Sequence, residues 1–191
     1  MNKYIYFVNF GILSLSLVGC INTPPVNQEP IQYYQAPQSS LSSASIIGDR
    51  LEGKYFADTE AYVFAVDQQK VANGRKQLNI PLNLSAGEHT LQLWCQRGAF
   101  KYSNLIRVNI EASKHYQVGY KLNLHKQQNC YFWIYDLDAK QAIGELVEGI
   151  EMGQYADPNR LRPLTHFLEP HPAIQQSITV PIRVVNKMSS H

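Results

Sequence analysis

The stretch YSNLIRVNIEASKHYQVGYKLNL, residues 102–124, decides the fold. In its first half Tyr102, Ile106, Val108 and Ile110 fall on one side, with Arg107, Asn109 and Glu111 on the other. Ser113-Lys114 turns the chain, and Tyr116, Val118, Tyr120, Leu122 and Leu124 then share one side. Period two held over about ten residues marks strands with one buried face. The stretch therefore predicts a pair of strands joined by a tight turn.

The same alternation extends outward. Upstream, residues 89–96 place Leu91, Leu93 and Cys95 together behind a turn at Ser85-Ala86-Gly87-Glu88. Residues 77–84 alternate through Leu78, Ile80, Leu82 and Leu84, and Pro81 on their other face predicts an edge strand or a bulge. Residues 44–48 and 61–66 are short β-branched or aromatic runs, punctuated by turn signals at 67–70 and at Asn73-Gly74. Downstream, 130–137 reads as a further strand ending in a polar turn at 138–141. With no helical period, about seven to eight strands at this spacing predict an all-β domain over residues 44–150, an antiparallel β-sandwich. Residues 151–191, with Pro158, Pro163, Pro170 and Pro172, read as an irregular extension. One last alternating run at 177–186 carries Pro181 and suits an edge strand.

Composition narrows the function classes. The formal charge is +2, from 17 basic and 15 acidic residues, without the basic excess that nucleic-acid binding requires. Tyr and Phe are abundant, at 12 and 7 residues, and suit pleated, half-buried strands.

The start of the chain has a different character. Lys3 precedes an apolar run over 4–18 that ends in Leu17-Val18-Gly19-Cys20. A charged start, a short apolar run and small residues at its end mark residues 1–19 as a secretory signal. Leu-Val-Gly-Cys also resembles the lipobox of bacterial lipoproteins, which implies lipidation at Cys20 and a membrane partner reached through that anchor. Ile21 stands where an aspartate would retain such a lipoprotein at the inner membrane, so the resemblance implies the outer membrane, facing the periplasm. Residues 20–43 are rich in Pro, Gln and Ser, bear Glu29 as their one charge, and read as a flexible tether. An oxidising compartment leaves Cys95 and Cys130 either bridged, the preferred reading, or as two free buried thiols.

Val63-Phe64-Ala65-Val66-Asp67, followed by Leu84-Ser85-Ala86-Gly87-Glu88-His89-Thr90-Leu91-Gln92-Leu93, resembles a PEGA-type repeat. Ala86 stands in place of that family's turn proline. The continuation through Cys95, Val108, Ile110, Tyr116, Cys130, Trp133, Ile134 and Asp136 is similar to a group of small periplasmic lipoproteins. Lys114 occupies that group's turn-glycine position. The resemblance spans residues 44–145 and implies a small β-sandwich and a Cys95–Cys130 disulfide; it implies no activity.

Candidate sites are few. If Cys130, Phe132 and Ile134 face the core, then Tyr131, Trp133 and Tyr135 form an aromatic stripe that Trp94 joins. Such a stripe suits a partner protein or sugar rings. The preferred alternative has the Pro-rich extension folding back over it to bury Leu161, Leu164, Phe167 and Leu168. The six histidines lack metal-ligand spacing, and no nucleophile elbow or phosphate loop is present, so neither metal nor cofactor is expected. The expectation is a non-catalytic envelope lipoprotein that binds or scaffolds a periplasmic protein or peptidoglycan. The alternative is an envelope hydrolase or hydrolase inhibitor with its site between extension and aromatic face.

Overall fold

The corner at residues 111–114 sets the architecture. In a computed structural model, which describes residues 29–38, 41–53, 57–123 and 128–169, β7 (Phe100–Ile110) and β8 (His115–Asn123) are both strands. They do not pair with each other. Ser113, at φ 60°, donates its N–H to the Ser43 carbonyl, and Ser45 N–H bonds to the Lys114 carbonyl. These bonds deliver β8 to the side of β1 (Ser43–Ile47) in a parallel pair. Alternation within each strand cannot report this, because it fixes faces and not neighbours.

The remaining strands are β2 (Asp49–Leu51), β3 (Thr59–Val66), β4 (Gln69–Lys70), β5 (Leu82–Ser85), β6 (Gly87–Arg97), β9 (Asn129–Asp136) and β10 (Gln141–Glu151). They form one ladder in the order β2-β3-β6-β7-β10-β9-β8-β1-β5, with β4 hanging on β3. The domain is all-β, as expected, but in place of the expected antiparallel sandwich of seven to eight strands the described residues form ten strands in a mixed, curled sheet. The parallel β1–β8 pair makes the sheet mixed, and β10 joins its two parts. Residues 141–149 of β10 pair with β9, on both sides of an irregularity between Ile143 and Val147 where Gly144 has φ 72°, and Ile150 and Glu151 pair with β7. Curling brings β8 back to β3, where Tyr120 Oη donates to the Thr59 carbonyl at 3.4 Å.

The concave side holds the main core. Tyr102, Ile106, Val108, Ile110, Tyr116, Val118, Phe132 and Ile134 all enter it, with Tyr120 and Leu122 at its margin. Leu124 lies outside the described residues, as do Cys20, the signal segment and the run at 177–186. Strand β3 is buried along its whole length, so its outward residues Tyr62, Phe64 and Ala65 make a second cluster with Leu78 and Trp94. Residues 77–81 form turns rather than a strand; Gln77 N–H bonds to the Asn73 carbonyl, Leu78 packs on the outer cluster and Ile80 is exposed. Only Leu82–Ser85 continue as a strand, at the end of the ladder, preceded by Pro81. Between β3 and β4, Asp67 and Gln68 have φ of 47° and 64°, the signs of a two-residue hairpin turn.

The segment entering the domain is attached to it. Gln32 and Tyr34 exchange backbone hydrogen bonds with Lys70 at 2.9 Å. Tyr34 packs against the main core and donates to the Asn83 carbonyl, leaving Tyr33 half exposed on the opposite side.

Candidate functional site

Glu60 is a carboxylate in a strand that is otherwise nearly all apolar and wholly buried. A buried charge requires partners. Arg50 reaches Glu60 Oε1 at 2.7 Å, Arg75 reaches Oε2 at 2.6 Å, and Gln96 donates to Oε2 at 3.2 Å. Both arginines keep part of their side chains in solvent. The three charges stand at one wall of a groove of about 560 Å³ between β3, β4, the 71–76 turns, Tyr33 and Pro158-Asn159. Four cationic side chains line it (Arg50, Lys70, Arg75 and Lys76) against the one carboxylate.

Two buried polar groups shape that groove. Tyr62 is 3% exposed and its hydroxyl has no hydrogen-bond partner. Such a group costs about 1–3 kcal/mol relative to a satisfied one. Burial pushes its pKa well above the ordinary phenol value; nearby Arg75 opposes this, and Glu60 and Asp157 add to it. Lys70 is also buried, and its ammonium donates to the carbonyls of Asn159 at 2.8 Å and Leu161 at 2.9 Å. It lies 5.2 Å from the centre of the Phe64 ring. Burial lowers the Lys70 pKa, and Asp157 works against that shift.

Beside the groove, the extension covers Trp94. Met152, Ala156 and Leu161 pack on the outer cluster, and Trp94 is fully buried, its Nε1 donating to Gln96 Oε1 at 3.0 Å. Side chains of the sheet hold this strap by its backbone. Lys101 Nζ donates to the Gln154 and Ala156 carbonyls, Gln92 Oε1 accepts from Leu164 N–H, and Asn104 exchanges two bonds with Leu168. Phe167 closes over Arg107 at 4.9 Å.

The rest of the aromatic stripe lies elsewhere on the sheet. Trp133 is buried over Gly119, whose missing side chain makes the room; a Cβ there would clash with the indole Nε1. Tyr135 is buried with its hydroxyl unpartnered, and Tyr131 is half buried, its hydroxyl accepting from Asn129 at 3.0 Å. Cys95 and Cys130 are both fully buried in the main core, close enough for Cys95 to act on the Cys130 thiol but not bonded covalently. The expected disulfide is therefore absent from this structure, although the expected proximity is present. Burial, then the neighbouring Cys95, pushes the Cys130 thiol pKa far up, so neither chemistry nor access favours a nucleophile there.

One alignment carries no signature in the sequence. Ser85 Oγ is 3.1 Å from His89 Nε2, and His89 Nδ1 is 2.7 Å from Asp67 Oδ2, the partner order of a serine-hydrolase triad. Nε2 is equally close to the Ser85 carbonyl, at 3.0 Å, and Asp67 is half exposed while accepting Thr90 N–H. Here the ring braces strand β5 against the β3–β4 turn. Among the described residues no group of three His, Cys, Asp or Glu is placed to hold a metal ion.

The groove residues do not stand out in sequence because they come from five separated segments. The one signal available is Glu60, a charge within a run otherwise fit for burial. No family model, no curated protein and no solved structure matches the chain.

Proposed function

We propose that the protein is a non-catalytic bacterial envelope lipoprotein, anchored at Cys20 in the outer membrane and facing the periplasm, whose β domain binds a periplasmic protein or peptidoglycan. The observation that carries this reading is the cationic groove beside a strapped aromatic face, with an unpartnered tyrosine hydroxyl buried in its wall. Polar groups held in place around a concave surface suit recognition. Nothing in the groove pairs a nucleophile with a base. The alternative of a hydrolase or hydrolase inhibitor with its site between the extension and the aromatic face has no such pair to support it, and the Ser85-His89-Asp67 alignment is accounted for by its bracing role. In this compartment Cys95 and Cys130 close a disulfide as the domain folds, passing two electrons and two protons to an external disulfide oxidant.

Cys20→Ala is expected to release the protein from the detergent-extractable membrane fraction. Unchanged partition removes the lipoprotein reading. Crosslinking in whole cells is expected to capture one defined envelope component, and no captured component at all removes the binding role.

A further inference from the structure

We infer that the groove takes a carboxylate-bearing sugar, with its ring against Tyr33 and its carboxylate toward Arg50 and Arg75. The inference deepens the binding-module reading and rests on it. Each arginine commits one nitrogen to Glu60, and their side chains remain 40% and 58% exposed, so both retain donors for a second carboxylate. The anion is favoured because four cations line the groove against a single acid.

The sugar is favoured over a peptide by the groove's other walls. Tyr33 is 49% exposed, a flat ring with a polar tip of the kind that stacks on sugars. Phe64 is 2% exposed and covered by the Lys70 ammonium, so no apolar pocket remains for a peptide side chain. Around Tyr33 the lining is rich in amide and hydroxyl groups from Asn73, Asn159 and Tyr62. The Tyr62 hydroxyl, which no protein atom satisfies, is covered in the free protein and would donate to a sugar oxygen once the side chains over it shift as the ligand seats.

The test is calorimetric titration of the full chain in detergent with N-acetylmuramic acid, N-acetylglucosamine and triglutamate. The first two share a ring and differ by a carboxylate-bearing side group. N-acetylmuramic acid is expected to bind about tenfold more tightly than N-acetylglucosamine, and this preference is expected to shrink as salt rises. Tyr62→Phe and Arg75→Gln are each expected to weaken it about five- to tenfold, and Tyr33→Ala similarly, with thermal midpoints showing that each variant folds. Equal affinity for the two sugars, or no binding of either, overturns the inference. Triglutamate binding as tightly as the acidic sugar, unaffected by Tyr33→Ala, overturns it in favour of a peptide. If Cys20-dependent membrane partition survives any of these negative results, only the ligand assignment falls. A wild-type chain found soluble instead removes the envelope reading and leaves the sugar result standing.

Discussion

Closing the Cys95–Cys130 bond should change the stability of this domain by a predictable amount. The two residues lie on β6 and β9 and enclose a loop of about 36 residues, so the chain-entropy relation gives about 4 kcal/mol. For a domain of this size that corresponds to about 15 °C in thermal midpoint. Both thiols have no solvent exposure, so the folded protein exchanges them slowly, and reduction must be carried out on the unfolded chain before refolding. The assay is a pair of thermal scans on protein extracted from cells under non-reducing conditions, one sample unfolded, reduced and refolded first. A thiol count in denaturant accompanies it. The bridged form is expected to melt higher and to yield no thiols from this pair. Equal midpoints, or two titratable core thiols in the extracted protein, refute the bridge and with it the argument from compartment.

Other expectations concern the structure more broadly. Gly119→Ala forces the Trp133 indole aside and should destabilise by about 1–3 kcal/mol, and Gly119→Ala with Trp133→Leu should recover much of that in urea unfolding. Lys70→Met leaves the Asn159 and Leu161 carbonyls without their donor, so hydrogen exchange and protease cleavage within 155–168 should accelerate while the central strands stay protected. Burial raises the Tyr102 phenol to about 12, with Glu151, Cys130 and Cys95 adding to the shift. Tyr62 and Tyr116 are raised as well, chiefly by burial. Their stabilising contribution is complete below the unfolded value near 10 and is lost as the pH climbs toward 12, because the unfolded chain releases protons there that the folded one retains. Urea midpoints should fall across that window, and a flat profile would contradict the burial of these phenols.

Alternation makes the faces of β6, β7, β8 and β9 readable from the residues alone, because each has one apolar side opposite a mixed one. Pairing is not readable in that way. The short turn at 111–114 looks like a hairpin, yet its Ser113 and Lys114 bond to Ser43 and Ser45 and turn a corner. Strand β10 escapes the pattern because its bulge at Gly144 breaks the period and most of its residues stay partly exposed. At 77–84 the spacing of leucines imitates a strand, but Leu78 and Leu84 belong to different clusters. The groove is the least legible feature. Its members meet only after β3, β4, the entering segment and the extension have been brought to one place, and none carries a local motif.

Lys70 has a mechanical consequence. Its backbone grips Gln32 and Tyr34, where the chain enters the fold, while its ammonium grips Asn159 and Leu161. Tension arriving along the N-terminal segment would therefore be passed through a single residue to the cover over Trp94. It would first draw Tyr33 out of the groove wall. In the proposed lipoprotein, a pull along this segment would thus weaken the proposed sugar site and loosen the strap together.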